Sequence, residues 1–130
     1  MADVLDVTAR ASATEESRVL TKAVIRGAAI LKLSQAELAR ILGVSPATIT
    51  RMHKGNWHLK RGDGKSFELA QLLLRLFRGI DAITGDDTVT AAWLRNGNLA
   101  LQGKRPIDLV QSVRGLIEVV DYVDFRRAPL

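Results

Sequence analysis

The chain has 130 residues, 47% of them hydrophobic, no cysteine and a formal net charge of +5. That length suits one domain or two small ones sharing a core, and that apolar content excludes global disorder. Without cysteine there are no disulfides and no thiolate metal sites. With no signal-like N-terminus and no run of about 18 apolar residues, a cytoplasmic protein is expected, with no membrane partner.

Residues 1–13 lack a clear period and are read as an N-terminal segment, flexible or a short helix. Thr14 followed by Glu15 and Glu16 is expected to start a helix, a capping hydroxyl with acids in the first turn. Leu20, Ala23, Val24, Gly27 and Leu31 then recur at helical spacing. Ser34 with Glu37 three residues on is a capping box. Gly43 is expected to end that helix with positive φ. Ser45 caps a third helix, and Pro46 at its first position costs no hydrogen bond.

Lys54 to Lys65 is rich in glycine and basic residues and reads as a loop or short turn. From Ser66 a long helix is predicted. Leu69, Leu72, Leu73, Leu76, Phe77 and Ile80 form its apolar stripe, and Phe67, Ala70, Leu74 and Ile83 widen it beyond what one surface helix needs. Such a helix is either central to the fold or shared with a second subunit, and a homodimer is expected. Gly85 stops it, and Asp86-Asp87 opens a short helix ending near Trp93-Leu94. Residues 96–105 form a loop, and Pro106 starts another helix. Ser112 caps the last, with Leu116, Val119, Val120 and Val123 on one face. No segment alternates with period two, so the fold class is all-α, with divisions at 1–13, 14–65 and 66–130.

The charge is uneven. Residues 1–65 carry eleven lysines and arginines against six acids, whereas residues 66–130 carry eight of each. Between Leu38 and Gly62 stand Arg40, Arg51, Lys54, Lys60 and Arg61 with no acid. A basic face beside two short helices joined by a glycine turn is what phosphate attraction and major-groove reading require. Ala39 is small where the helices cross, and Leu38 and Ile49 fill the space between. Gln35, Thr48, Thr50 and Arg51 are polar where DNA would lie, and Lys54 follows as a phosphate contact.

This segment resembles the lambda-repressor-like, or Xre-type, helix-turn-helix family. The resemblance implies that Gln35 touches a phosphate. It also implies that Ser45, Pro46, Ala47, Thr50 and Arg51 face base edges or adjoining phosphates. Arg51 alone among them can grip guanine with two hydrogen bonds. Pro46 and Ala47 stand where many members carry longer polar side chains, which leaves direct readout to Arg51, the threonines and DNA shape.

Other motifs carry less. Gly64-Lys65-Ser66 before a helix is a fragment of a phosphate-binding loop, but that pattern needs glycine at position 59, which is Leu59, and a preceding strand. His53 and His58 have no nearby carboxylate or cysteine pair to complete a zinc site. They read as phosphate-proximal or surface histidines. The pairs Glu15-Glu16 and Asp86-Asp87 suit helix starts better than acid–base catalysis. Nothing points to an enzyme, a cofactor or a metal.

Trp93 by spacing alone is a core anchor. Yet residues 66–127 resemble the toxin-binding domain of the Xre/MbcA/ParS antitoxins, through Trp93-Leu94-Arg95, Asn98, Ala100-Leu101, Gly103, Pro106, and Gly115-Leu116-Ile117 to Asp121-Tyr122-Val123-Asp124. Gly97 and Leu99 replace usual prolines, and Gln102 replaces a common glycine. The resemblance implies an antitoxin of a type II pair whose toxin is of the NAD-depleting RES class. It also implies repression of the shared operon through operator DNA. Trp93, Arg95, Asn98 and Tyr122, with the tail residues Arg126, Arg127 and Leu130, are the expected toxin contacts. The alternative is a stand-alone Xre-type repressor whose C-terminal half only dimerises.

Overall fold

A computed structural model describes residues 4–128. Seven α-helices follow in order: α1 Val4–Ile30, α2 Gln35–Leu42, α3 Pro46–His53, α4 Ser66–Thr84, α5 Asp87–Arg95, α6 Pro106–Leu109 and α7 Val113–Arg127, with a 3-10 turn at Leu99–Leu101 between α5 and α6. Among the described residues there is no strand, as the missing period-two pattern predicts. No helix there is long and apolar enough to cross a membrane.

Local signals set most boundaries. Ser34 Oγ accepts from the Glu37 amide (3.0 Å) while Glu37 Oε1 accepts from the Ser34 amide (2.8 Å), closing the capping box. Gly43 ends α2 at φ 69°, where a side chain would be strained. Ser45 Oγ caps α3 at the Thr48 amide, and Pro46 occupies its first position. Asp86 caps α5, Ser112 caps α7, and Gly85 closes α4 in the left-handed region.

One boundary differs from expectation. Helix α1 begins at Val4, so Thr14 lies inside it instead of capping it. Residues 4–13 contain no glycine or proline and include Ala9, Ala11 and Ala13, strong helix formers, so nothing there breaks the helix once it continues N-terminally. Residues 1–3 of the N-terminal segment lie outside the described residues.

Helix α4 holds the molecule together. It packs against α1 and α2 on one side and α5 and α7 on the other. A single buried cluster therefore runs from Leu31, Leu42 and Ile49 through Leu73, Leu76 and Ile80 to Leu94, Leu116 and Val123. Each such side chain contributes roughly 1.5–3 kcal/mol when fully buried. The wide apolar stripe of α4 is consumed by this packing. Leu69, Leu73 and Leu76 are buried within the chain itself, while Leu72 and Phe77 remain half-buried. The loop after α3 is pinned inward by Leu59, fully buried, whose amide donates to Thr21 Oγ1 of α1 (2.9 Å).

Candidate nucleic-acid interface and partner surface

Helices α2 and α3 pack through buried Leu38, Ala39, Leu42 and Ile49. That leaves the start of α2 and one side of α3 facing solvent. Gln35, Ser45, Pro46, Ala47, Arg51 and Lys54 are exposed there, and Thr50 is half-buried. The polar side chains are ordered against one another. Gln35 Nε2 donates to Thr50 Oγ1 (2.5 Å), and Thr50 Oγ1 donates to the Pro46 carbonyl (3.3 Å). Gln35 thus ties the start of α2 to the first turn of α3.

Thr48 occupies a different position from its neighbours. It is buried, its hydroxyl lies 2.9 Å from Ser45 Oγ, and it accepts from Arg51 Nη2 at 3.2 Å. Its side chain therefore sits behind the exposed surface, holding Arg51. A fixed guanidinium loses less entropy when it forms a bidentate contact.

The basic run divides into two groups. Arg61 grips Glu16 (Nη2–Oε1 2.7 Å) and lies 4.6 Å over the Phe67 ring, and its guanidinium holds the Glu16 carboxyl below the usual range. Arg40 donates to Gln111 Oε1 (2.6 Å), turning toward the C-terminal half. Arg51, Lys54 and Lys60 have no ion-pair partner among the described residues. His53 and His58 line a cleft of about 470 Å³ at the end of α3, together with Arg18 and Lys22 of α1. The cationic surface beside α3 therefore draws on α1, which the sequence order conceals. No group of three potential ligands is placed to hold a metal ion among the described residues.

The expected toxin contacts separate in space. Trp93 and Tyr122 are half-buried and stack with ring centroids 6.4 Å apart and planes 10° from parallel. Arg126 Nη1 donates to the Tyr122 hydroxyl (3.0 Å). Ile80, Ile83 and Thr84 complete a shallow depression around these three. Phe125 is 77% exposed on the same helix. Arg127 lies against Gly79 of α4, and Leu130 lies outside the described residues.

Arg95 and Asn98 serve the chain's own structure. Arg95 reaches back to α2, where Nη1 and Nη2 meet Glu37 Oε2 (3.0 Å) and Oε1 (2.8 Å), and Nη2 also donates to the Lys32 carbonyl (2.8 Å). The Glu37 carboxyl is held down to about 2, first by the Arg95 hydrogen bonds, against burial, which pushes it up. Asn98 Oδ1 accepts from the Ala100 amide (2.9 Å), capping the 3-10 turn. That turn holds Leu99 out in solvent at 96% exposure. The sequence pattern misses both the bridge and this projection. The capping box already accounts for Glu37, and Arg95 lies 58 residues away.

The architecture is thus a helix-turn-helix with an ordered, cationic outer face that shares one core with a second helical unit. Residues 10–75 match the antitoxin Xre-like helix-turn-helix domain, and residues 81–128 match the antitoxin Xre/MbcA/ParS C-terminal toxin-binding domain. The chain belongs to the Xre family of antitoxins. No curated protein matches it.

Proposed function

We propose that this chain neutralises a RES-class, NAD-depleting toxin encoded beside it, and represses their common operon by binding operator DNA in the cytoplasm as a homodimer. The observation that carries the reading is the union of the two family domains in one continuous core. The choice of a RES toxin follows from the family resemblance of residues 66–127.

On the DNA side, α3 enters the major groove with Arg51 reading a base. Gln35 and Lys54 contact phosphates, and Ser45, Pro46, Ala47 and Thr50 line the groove. Support comes from the exposure of Gln35, Ser45, Pro46, Ala47, Arg51 and Lys54 and from the Ser45–Thr48–Arg51 chain that orders Arg51. A dimer would set two such helices about 34 Å apart on successive half-sites. On the toxin side, the Trp93–Tyr122 stack with Arg126 offers an aromatic and cationic surface of the kind that dominates binding energy at interfaces.

Co-expression with the adjacent open reading frame tests the proposal. Growth should be lost when that frame is expressed alone and restored by this chain, with cellular NAD falling and recovering in parallel. A neighbour whose toxicity leaves NAD unchanged would overturn the RES assignment. A neighbour that is harmless would overturn the antitoxin pairing.

A further inference from the structure

Helix α1 carries Arg18 and Lys22 one turn apart, both exposed, on the side that meets the end of α3. Two clefts open along that side and share Arg18 and His58. One, of about 470 Å³, lies between Lys22 and His53 above Ile25 and the buried Met52. The other, of about 320 Å³, continues between α1 and the loop residues Lys60 and Arg61.

The loop wall of this trough is fixed from beneath. Leu59 is fully buried and its amide donates to Thr21 Oγ1 (2.9 Å), while the Thr21 hydroxyl donates to the Ser17 carbonyl (2.7 Å). His58 and Lys60, on either side of Leu59 in the chain, are thereby held beside Arg18. Among the described residues, Glu16 is the one acid lining either cleft, and Arg61 already neutralises it (2.7 Å). Glu15 and Asp63, near in sequence, line neither. Arg18, Lys22 and Lys60 have no ion-pair partner among the described residues. Three uncompensated cations and two imidazoles therefore face one trough.

We propose that this trough is a second DNA contact, a clamp on the phosphate backbone beside the groove that α3 enters. It rests on the DNA-reading role proposed above and adds to it a helix outside the helix-turn-helix. Position and charge choose the occupant. His53 and Gly55 line the trough and bracket Lys54 in the chain, so a duplex with α3 in its groove carries its backbone past the trough's mouth. Duplex DNA presents one negative charge per about 1.7 Å of axis, a density that a row of fixed cations matches. An imidazole donates an N–H to a phosphate oxygen in either charge state. The Leu59 anchor means that little loop entropy is lost on contact.

Arg18→Gln/Lys22→Gln should weaken binding to operator and random duplex alike, roughly tenfold or more, and lower the salt slope by about two per subunit. The ratio of operator to random affinity should not change, whereas Arg51→Ala lowers that ratio. Glu16→Gln frees Arg61 and should act in the opposite direction, tightening every sequence and raising the slope by about one. Arg18→Lys/Lys22→Arg keeps both charges and should bind as the wild type does. Arg18, Lys22 and Glu16 are exposed, so helical content should not change in any of these. Ethylation of single operator phosphates should interfere with the wild type at positions that the glutamine pair no longer senses and Lys54→Ala still does. A wild-type salt slope in the glutamine pair, a changed specificity ratio, or equal loss in the charge-keeping pair would each overturn the clamp while leaving α3 as the reader. Adenosine diphosphate at matched ionic strength should not compete. Saturable competition that the glutamine pair abolishes would give the trough to a free nucleotide instead and overturn the proposal. A wild type that binds no duplex would overturn the DNA reading itself, and the clamp with it.

Discussion

Glu37 and Arg95 join the two halves of the molecule through one carboxylate. Glu37 caps its own helix at Ser34 and takes both arms of the Arg95 guanidinium, which also steadies the Lys32 carbonyl. Lys32 holds a left-handed conformation at φ 57°, unfavourable for a residue with a side chain. The start of α2, against which α3 packs, is therefore fastened to the end of α5.

Glu37→Gln should destabilise the chain, and the loss should depend on pH. The folded carboxyl titrates at about 2, against 4.5 ordinarily. Its contribution is therefore complete above 4.5 and disappears as pH falls through about 2. Linkage sets an upper limit of about 3 kcal/mol. Arg95 is 36% exposed, so solvent screening reduces that figure. Thermal unfolding of both proteins from neutral pH downward should show curves that converge in acid. A constant gap would remove the ion pair from the explanation.

Arg51→Ala should weaken operator binding by roughly 1–3 kcal/mol and relax base preference at one position. Lys54→Ala should weaken all DNA sequences alike and lower the salt slope by about one. Thr48→Val removes the acceptor that orders Arg51 without changing size. It should cost about 1 kcal/mol in operator affinity and little on random DNA. Titrations at several salt concentrations separate the three. Wild-type affinity for Arg51→Ala would displace α3 from the groove.

The helix-turn-helix was legible because its constraints are local. Cap, turn glycine and small crossing residue all fall within about twenty residues. The role of Thr48 was not, because its polarity suits a DNA contact as well as a buried bridge, and only packing distinguishes the two. The same limit applied to Leu69, Leu73 and Leu76. A wide apolar stripe reads identically whether α7 or a second subunit covers it. Thr14 misled for a related reason, since a hydroxyl before two acids is also tolerated inside a helix. Arg95 and Asn98 carry family resemblance, yet their side chains are spent on the chain's own framework.

Tyr122→Ala should weaken toxin binding by roughly 2 kcal/mol while leaving operator affinity unchanged, because it removes the stacking partner of Trp93 and the anchor of Arg126. Deleting residues 125–130 tests whether the tail adds to this surface. Calorimetry with purified toxin distinguishes the cases. Full affinity in the truncated chain assigns binding to the helices, and wild-type affinity for Tyr122→Ala removes the aromatic stack from the contact.

Gly115→Ala should destabilise the fold by about 3 kcal/mol. A Cβ there would collide with the Leu109 carbonyl at the turn between α6 and α7, and backbone cannot yield as a side chain can. Gly79→Ala should cost less, since the methyl would collide with the Val123 side chain (Cγ1 at 2.6 Å) and meet Arg127 at ordinary contact distance, with no backbone in the way. Denaturant midpoints order the two, and equal values would refute the distinction.

Because α4 is roof to one half and floor to the other, neither half can be lost alone. Removing α7 would uncover Leu73, Leu76 and Ile80, and removing α1–α3 would strip the opposite side of the same helix. Degradation of this chain should thus be a single cooperative event. If the chain holds operator and toxin as proposed, a protease that starts at either end would free both together, and resynthesis would begin at the moment the poison is released.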